Sequence, residues 1–235
     1  VRASEGLLAR VVHAACRTVE ADETCDTGHL AALPPEEAAL AALLPERRAG
    51  EFAAARACAR AALGGLGLPP VAILPGVRGA PGWPPGVVGS LTHCTGYRGA
   101  TVARRRDLLA VGVDAEPAVR LRPGVLERVC SGDRELRSVR ELLARAPQVP
   151  WDKVLFSAKE SVYKAWFPLT LRRLGFRDAE VVLGQSWDGR ADGGFRARLR
   201  VGPGDGNSPT DFDGRWALLG SLVATAVCVP AAPGP

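Results

Sequence analysis

The segment Leu108–Pro117, LLAVGVDAEP, sets the strongest constraint on the fold. Six uncharged residues, Leu108 to Val113, run up to two carboxylates. That run is far short of the roughly 20 residues a membrane span needs, and it has the length of a buried strand. Side chains two apart on a strand point to the same side, so Asp114 and Glu116 project together while Val113 and Ala115 face the other way. Two carboxylates on one face repel each other unless a cation lies between them. A hard divalent ion such as Mg2+ accepts one or two carboxylates, waters and the phosphates of a ligand. The alternative is a strand end whose acids meet solvent or basic neighbours. Pro117 cannot extend a central ladder and fits either case.

The rest of the chain arranges itself around that strand. Its 235 residues suit one large domain or two small ones. Pro34-Pro35 followed by Glu36 and Glu37 marks a helix start. Pro45 opens a second helix that stops at Gly64-Gly65. Residues 68–86 are rich in Pro and Gly and read as loop. GVVGSLTHC and GATVARR read as strands about a turn at Thr95 to Gly99. Beyond the central strand the pattern predicts helices at about 123–146 and 151–166. Strands follow from AEVVLGQSW, GGFRARLRV and RWALLGSLVATAVCV, then a frayed tail, PAAPGP. This order predicts an α+β protein in two halves, 1–109 and 110–235, each with a helix ahead of hairpin strands.

Charge and cysteines exclude several classes. The net charge is +5, but the basic residues are dispersed among acids, and Arg104 to Arg106 run directly into Asp107. Such a surface suits an acidic protein or a phosphate-rich small ligand as well as nucleic acid. The six cysteines form no C-x-x-C pair, and their spacing fits neither a zinc site nor a small disulfide framework. Reduced thiols in a cytoplasmic protein are the expectation. No signal-type or membrane-spanning run stands in the sequence.

Two further stretches carry chemistry. In LFSAKESVYKAW, Leu155 to Trp166, helical spacing gathers Leu155, Ala158, Val162, Ala165 and Trp166 on one face. Phe156, Glu160, Tyr163, Lys164 and Phe167 share the other, with Lys159 at its edge. Aromatic residues mixed with Glu160 and Lys164 point to a cleft rather than to open solvent. Glu160 and Lys164 are either an i,i+4 ion pair or a third metal carboxylate and a phosphate contact. In GSLTHC, Gly89 to Cys94, small and hydroxyl residues before His93 leave main-chain N–H groups open to an anion. His93 is otherwise a structural histidine.

Taken in order, GSLTHC, VGVDAE and FSAKESVYKAW resemble the 4'-phosphopantetheinyl transferases of the surfactin-synthetase-activating type, in the branch that serves siderophore and polyketide synthases. ERRAGEFAAARACARAAL is similar to that branch's arginine-bearing helix, so the resemblance spans nearly the whole chain. It implies a pseudo-twofold α+β fold of two similar subdomains, with coenzyme A in the cleft between them. It implies Mg2+-dependent transfer (Mn2+ being an alternative ion) of the phosphopantetheine arm to a serine of an acyl or peptidyl carrier protein, with release of 3',5'-ADP. On that resemblance the metal ligands are Asp114, Glu116 and Glu160, and the phosphate lysines are Lys159 and Lys164. His93 contacts the 3'-phosphate, with Arg48 and Arg56 near the adenine and that phosphate, and Ser90 to Thr92 supply main-chain contact. Pro75 stands where some relatives place a phosphate-gripping lysine, and Arg78 takes over part of that role. Glu160 is the expected acceptor of the serine proton, Lys164 stabilises the leaving phosphate, and Asp114 holds the ion at the reacting centre.

The carrier is expected to meet the basic stretch Arg120 to Arg140 and apolar surface at Trp166 and Phe167. The protein is expected to act as a monomer, without nucleic acid or membrane. Two rival classes share part of the pattern: another Mg2+-dependent phosphoester-cleaving enzyme, and a basic nucleic-acid-binding protein. The second leaves the three acids and the aromatic helix face unexplained. Neither rival accounts for the ordered set of motifs.

Overall fold

The computed structural model describes residues 6–22, 26–184, 191–202 and 208–231. Cys25, residues 185–187 of an expected strand and the tail from 232 lie outside the described residues. The first half runs β1 (Arg17–Ala21), α1 (Asp26–His29), α2 (Pro35–Ala41), α3 (Glu46–Gly64), β2 (Val87–Cys94) and β3 (Tyr97–Arg104). The second runs β4 (Leu108–Pro117), α4 (Val125–Val129), α5 (Asp133–Arg145), α6 (Trp151–Thr170), β5 (Ala179–Leu183), β6 (Asp192–Leu199), β7 (Asp211–Leu219) and β8 (Leu222–Pro230). The strands form two antiparallel sheets, ordered β1-β3-β2 and β4-β8-β7-β6-β5. The chain is thus α+β with a change of sheet at Leu108. A long helix lies on each sheet, α3 against β1 and β3, α6 against β4 and β8.

β4 is the strand on which everything else is stacked. Ala110 joins the core under α6, while Val111, Val113 and Ala115 face a second core with Leu8, Tyr97 and Ala226. Gly112 allows the strand and α6 to touch. A Cβ there would lie 2.0 Å from the Ser161 carbonyl oxygen and 2.5 Å from the Ala165 nitrogen. The two sheets meet through side chains: Ser90 Oγ accepts the Val113 N–H at 3.1 Å, and Thr92 Oγ1 accepts the Ala115 N–H at 2.9 Å. The core under α6 is aromatic, with Trp151, Trp166 and Trp216 fully buried and Trp151 edge-on to Trp216 at 5.0 Å.

Four local expectations change. The turn between β2 and β3 is tighter than Thr95 to Gly99, because Gly96 takes φ +80° and closes it with Thr95 alone. The helix expected over 123–146 is broken into α4 and α5 at Cys130–Gly132. α6 continues past Trp166 through Pro168, whose missing N–H falls in the last turn, and stops at Leu171. β1, an edge strand of mixed polarity, was not anticipated in the first 44 residues. Among the described residues, no helix is long and apolar enough to cross a membrane.

Candidate active site

The contact of β4 with α6 brings Asp114, Glu116, Glu160, Lys153 and Lys164 into one neighbourhood. Lys164, on the α6 face that meets β4, donates to Asp114 Oδ1 at 2.8 Å and to the Val113 carbonyl at 3.0 Å. Lys164 therefore pairs across to β4 rather than along its own helix with Glu160. Asp114 is buried, and its second oxygen, Oδ2, has no hydrogen-bond partner. A buried carboxylate oxygen left in this way is costly unless something else binds it. Burial pushes the Glu160 carboxyl above its ordinary value; Lys164 opposes this, and the nearby charges of Asp114 and Glu116 add to it. Glu116, half-buried, accepts from Lys153 Nζ at 3.1 Å. Among the described residues, no three His, Cys, Asp or Glu side chains gather tightly enough to enclose an ion by themselves.

Lys159 is a correction. It was expected to grip phosphate, but its ammonium is turned into the protein on the far side of α6. It donates to Glu135 Oε2 at 2.8 Å and to the carbonyls of Val129, Phe176 and Ala179 at 2.9, 2.9 and 2.7 Å. The reason is helical phase. One residue from Glu160 is a rotation of about 100°, enough to move the side chain from the cleft edge to the α5 and β5 side. Trp166 and Phe167 are also corrected: Trp166 is fully buried and Phe167 turns what surface it has into a cavity, so neither offers a carrier helix an outer apolar face.

The other wall comes from α3, β2 and the loop before β2. His93, near the end of β2, is bonded to Arg48, and Arg48 Nη1 also donates to Glu51 Oε2 at 2.9 Å. Burial and the charges of Arg48, Lys164 and Arg98 bring the His93 imidazole down to about 4, against the pull of Glu51. Arg56 lies over the Phe52 ring at 4.0 Å and donates to the Ile73 carbonyl. Pro75 pairs with Pro81 in an isolated bridge, and Arg78 lies between them with a left-handed backbone, φ 53°.

Two cavities flank these groups. One, of about 550 Å³, lies between the halves and is lined by Arg56, Ser90 and His93 on one side and Tyr163, Lys164 and Phe167 on the other. Arg78 and Leu171, the non-glycine residues with positive φ among those described, both line it. Such backbone costs on the order of 1 kcal/mol and collects at ligand sites. The other cavity, about 660 Å³ and open, spreads over Arg47, Arg48, Glu116, Arg120, Arg122 and Lys153. The geometry thus offers cationic side chains around His93 and Arg48 and a slot walled by Tyr163 and Phe167, with Lys164 bonded to Asp114 at its edge.

Three charged residues of this region were not singled out from sequence: Glu51, Arg98 and Lys153. Glu51 carried a signal, its i,i+3 and i,i+4 spacing from Arg48 and Arg47. Arg98 and Lys153 carried none, because their partners are distant in the chain.

Comparison with known proteins identifies the family. The 4'-phosphopantetheinyl transferase N-terminal domain profile matches residues 36–103, and the 4'-phosphopantetheinyl transferase superfamily profile matches 110–206. The chain is 53% identical over 202 residues to the 4'-phosphopantetheinyl transferase Svp of Streptomyces mobaraensis, covering 85% of this chain and 80% of Svp. It is 45% identical over 198 residues to the 4'-phosphopantetheinyl transferase PptT of Mycobacterium tuberculosis, covering 82% and 84% respectively. It is 34% identical over 147 residues to enterobactin synthase component D of Salmonella typhi, covering 58% and 55%. The chain belongs to the 4'-phosphopantetheinyl transferase superfamily and is an enzyme of that transferase class.

Proposed function

We propose that this enzyme moves the 4'-phosphopantetheine arm of coenzyme A onto a serine of acyl and peptidyl carrier proteins. The serine oxygen forms a bond to the phosphorus that bears the arm, the P–O bond to the nucleotide phosphate breaks, and 3',5'-ADP leaves. The observation that carries this reading is the pairing of opposed walls. Tyr163, Lys164 and Phe167 line one side of the cavity, with Asp114 bonded to Lys164, and Arg56, Ser90 and His93 line the other. The division of labour assigns residues 1–109 to the nucleotide and 110–235 to the reacting phosphates, in two subdomains related by a pseudo-twofold.

Asp114, Glu116 and Glu160 fit a divalent cation, Mg2+ in this proposal. The orphaned Asp114 Oδ2 supplies one oxygen, and the Glu160 carboxyl, raised by burial and by the charges of Asp114 and Glu116, is a group that a cation would stabilise. Too few protein ligands converge to close the shell, which suits an ion that keeps waters and phosphate oxygens. When bound, that ion neutralises charge on the pyrophosphate. Glu160 takes the serine proton, for which an elevated carboxyl in a half-buried site is suited. Lys164, held by Asp114 and the Val113 carbonyl, directs its ammonium along the cavity wall toward the leaving phosphate. Arg48, Arg56 and His93 hold the 3'-phosphate end. Arg78 meets the outer phosphates, and the main chain at Ser90 to Thr92 borders them. The apolar slot at Tyr163 and Phe167 receives the arm. The carrier docks over the open basic depression at Arg120, Arg122 and Lys153, and the enzyme works in the cytoplasm as a monomer.

Incubation with coenzyme A, Mg2+ and an apo carrier protein tests the reading. Intact-mass spectra should show the carrier gaining one phosphopantetheine arm, with no gain when Mg2+ is chelated. A carrier of unchanged mass alongside hydrolysed coenzyme A would overturn it in favour of a phosphoester hydrolase.

A further inference from the structure

One carboxylate near the nucleotide end has no part in the chemistry above, yet three arginines and His93 converge on it. Glu51, on the second turn of α3, lies 2.9 Å from Arg48 Nη1 and 3.6 Å from Arg47 Nε. It also lies 3.7 Å from His93 Nε2 and 3.7 Å from Arg98 Nη2. The two carboxylate oxygens divide these partners. Oε1 faces Arg98 and Arg47, and Oε2 faces Arg48 and His93.

The partners differ in freedom. Arg98 is 2% exposed, and its Nη1 also donates to the carbonyls of Cys94 and Tyr97 at 2.5 and 2.9 Å. It is a fixed post at the β2–β3 turn. Arg48 is 52% exposed, and without a partner its long side chain would sample many rotamers. Glu51 therefore links a buried guanidinium to an exposed one, with His93 beside it. Burial pushes the Glu51 carboxyl up, but the Arg48 hydrogen bond and the charges of His93, Arg98 and Arg47 outweigh this and keep it below the usual range. The carboxylate thus stays charged and in place at neutral pH.

We propose that Glu51 is a positioning residue for recognition of the 3'-phosphate: anchored on Arg98, it holds Arg48 and His93 in the arrangement that phosphate meets. The proposal rests on the assignment of Arg48 and His93 to the nucleotide end. Side chains ordered in advance do not lose that freedom on binding, and each one fixed is worth roughly tenfold in affinity. A purely electrostatic role for Glu51 would act in the opposite direction. Removing its negative charge would make the region more positive and tighten every anionic ligand, whether or not it carries a 3'-phosphate.

Coenzyme A and dephospho-coenzyme A, which differ by that one phosphate, separate the two roles. In Glu51→Gln the KM for coenzyme A should rise roughly tenfold, the KM for dephospho-coenzyme A should hardly move, and the loss should fall on KM rather than kcat. Arg98→Lys, which weakens the anchor while keeping a cation, should erode the same preference, and it stands in if Glu51→Gln fails to fold. Unchanged preference in both variants, or tighter binding of both donors in Glu51→Gln, overturns the positioning role. Arg48→Ala belongs in the same experiment. If it loses the preference while the Glu51 and Arg98 variants keep it, only the Glu51 inference fails. If Arg48→Ala also keeps the preference, the nucleotide-end assignment fails and takes this inference with it.

Discussion

Two lysines five residues apart on α6 each meet a carboxylate at 2.8 Å, and the two pairs sit in opposite surroundings. Lys159 and Glu135 are 2% and 1% exposed. Both are saturated: Lys159 by three carbonyls besides, Glu135 by the N–H groups of Ser131 and Val181 at 2.6 Å each. Lys164 is 26% exposed, and its partner Asp114 keeps one buried oxygen with no hydrogen bond. The first pair locks α5, β5 and the end of α4 onto α6. The second stands at a cavity with binding capacity to spare. Ion-pair distance alone does not separate a structural bridge from a working one. Burial and the number of unused lone pairs do.

The widest separation between the two pairs should appear in the activity of the acids at the cavity. Glu160→Gln and Asp114→Asn should lower the rate of arm transfer by about 10²- to 10⁴-fold with no loss of melting temperature. Mass-spectrometric transfer assays beside thermal melts read both quantities. Turnover within a fewfold of the parent in either variant would remove that residue from the site.

The next effect is on stability. Lys159→Met strands a buried Glu135 and should cost about 3–5 kcal/mol, seen as a lower urea midpoint, while protein that remains folded keeps its affinity for coenzyme A. The double variant Lys159→Met/Glu135→Leu should regain most of that loss, because replacing both members of a buried pair with apolar groups is often close to neutral. A single variant of parental stability but weak coenzyme A binding would return Lys159 to the phosphates and erase the contrast.

Lys164→Met should behave in the reverse sense. Its stability should fall by less than that of Lys159→Met, because Lys164 makes two hydrogen bonds where Lys159 makes four, and it should lose about 1.5–3 kcal/mol of interaction with the leaving phosphate. The ratio of kcat/KM between parent and variant measures that loss. A variant that melts early but turns over normally would make Lys164 another Lys159.

The smallest expected effect concerns His93, which faces Arg48 and Glu51 of α3, Arg98 of β3 and Lys164 of α6. Its folded value of about 4 lies below the ordinary 6.5. Between those limits the unfolded chain binds a proton that the folded protein refuses, so stability falls as pH drops from 6.5 toward 4. His93→Gln should flatten that part of the stability profile in urea titrations at stepped pH. Parallel profiles for parent and variant would mean that His93 charges freely in the folded state.

Much of this contrast was present in the chain before folding. Asp114 and Glu116 were readable as a same-side pair because strand geometry has period two, and the run before them fixes the strand. Glu160, Lys164, Tyr163 and Phe167 were readable as one face because helix geometry has a short period, but Phe156, read onto the same face, packs against Phe176 instead. The break between α4 and α5 was not readable. It depends on Glu135 reaching back to the Ser131 N–H and across to Val181, forty-six residues on. β1 escaped notice because an edge strand with one half-covered side carries little alternation.

The sequence by itself determined the family, the central buried strand, the helix that crosses it and the set of acids and bases that can meet in the cleft. These follow from local periodicity and from motifs whose residues are neighbours in the chain. The tertiary structure alone decided which of two lysines faces the cavity, that Ser90 and Thr92 join the sheets, and that Glu51 lies against Arg98. Those outcomes depend on small rotations about α6 and α3 and on partners brought close only by packing. A rotation of about 100° per residue is enough to carry a charge from an open cavity into the protein interior.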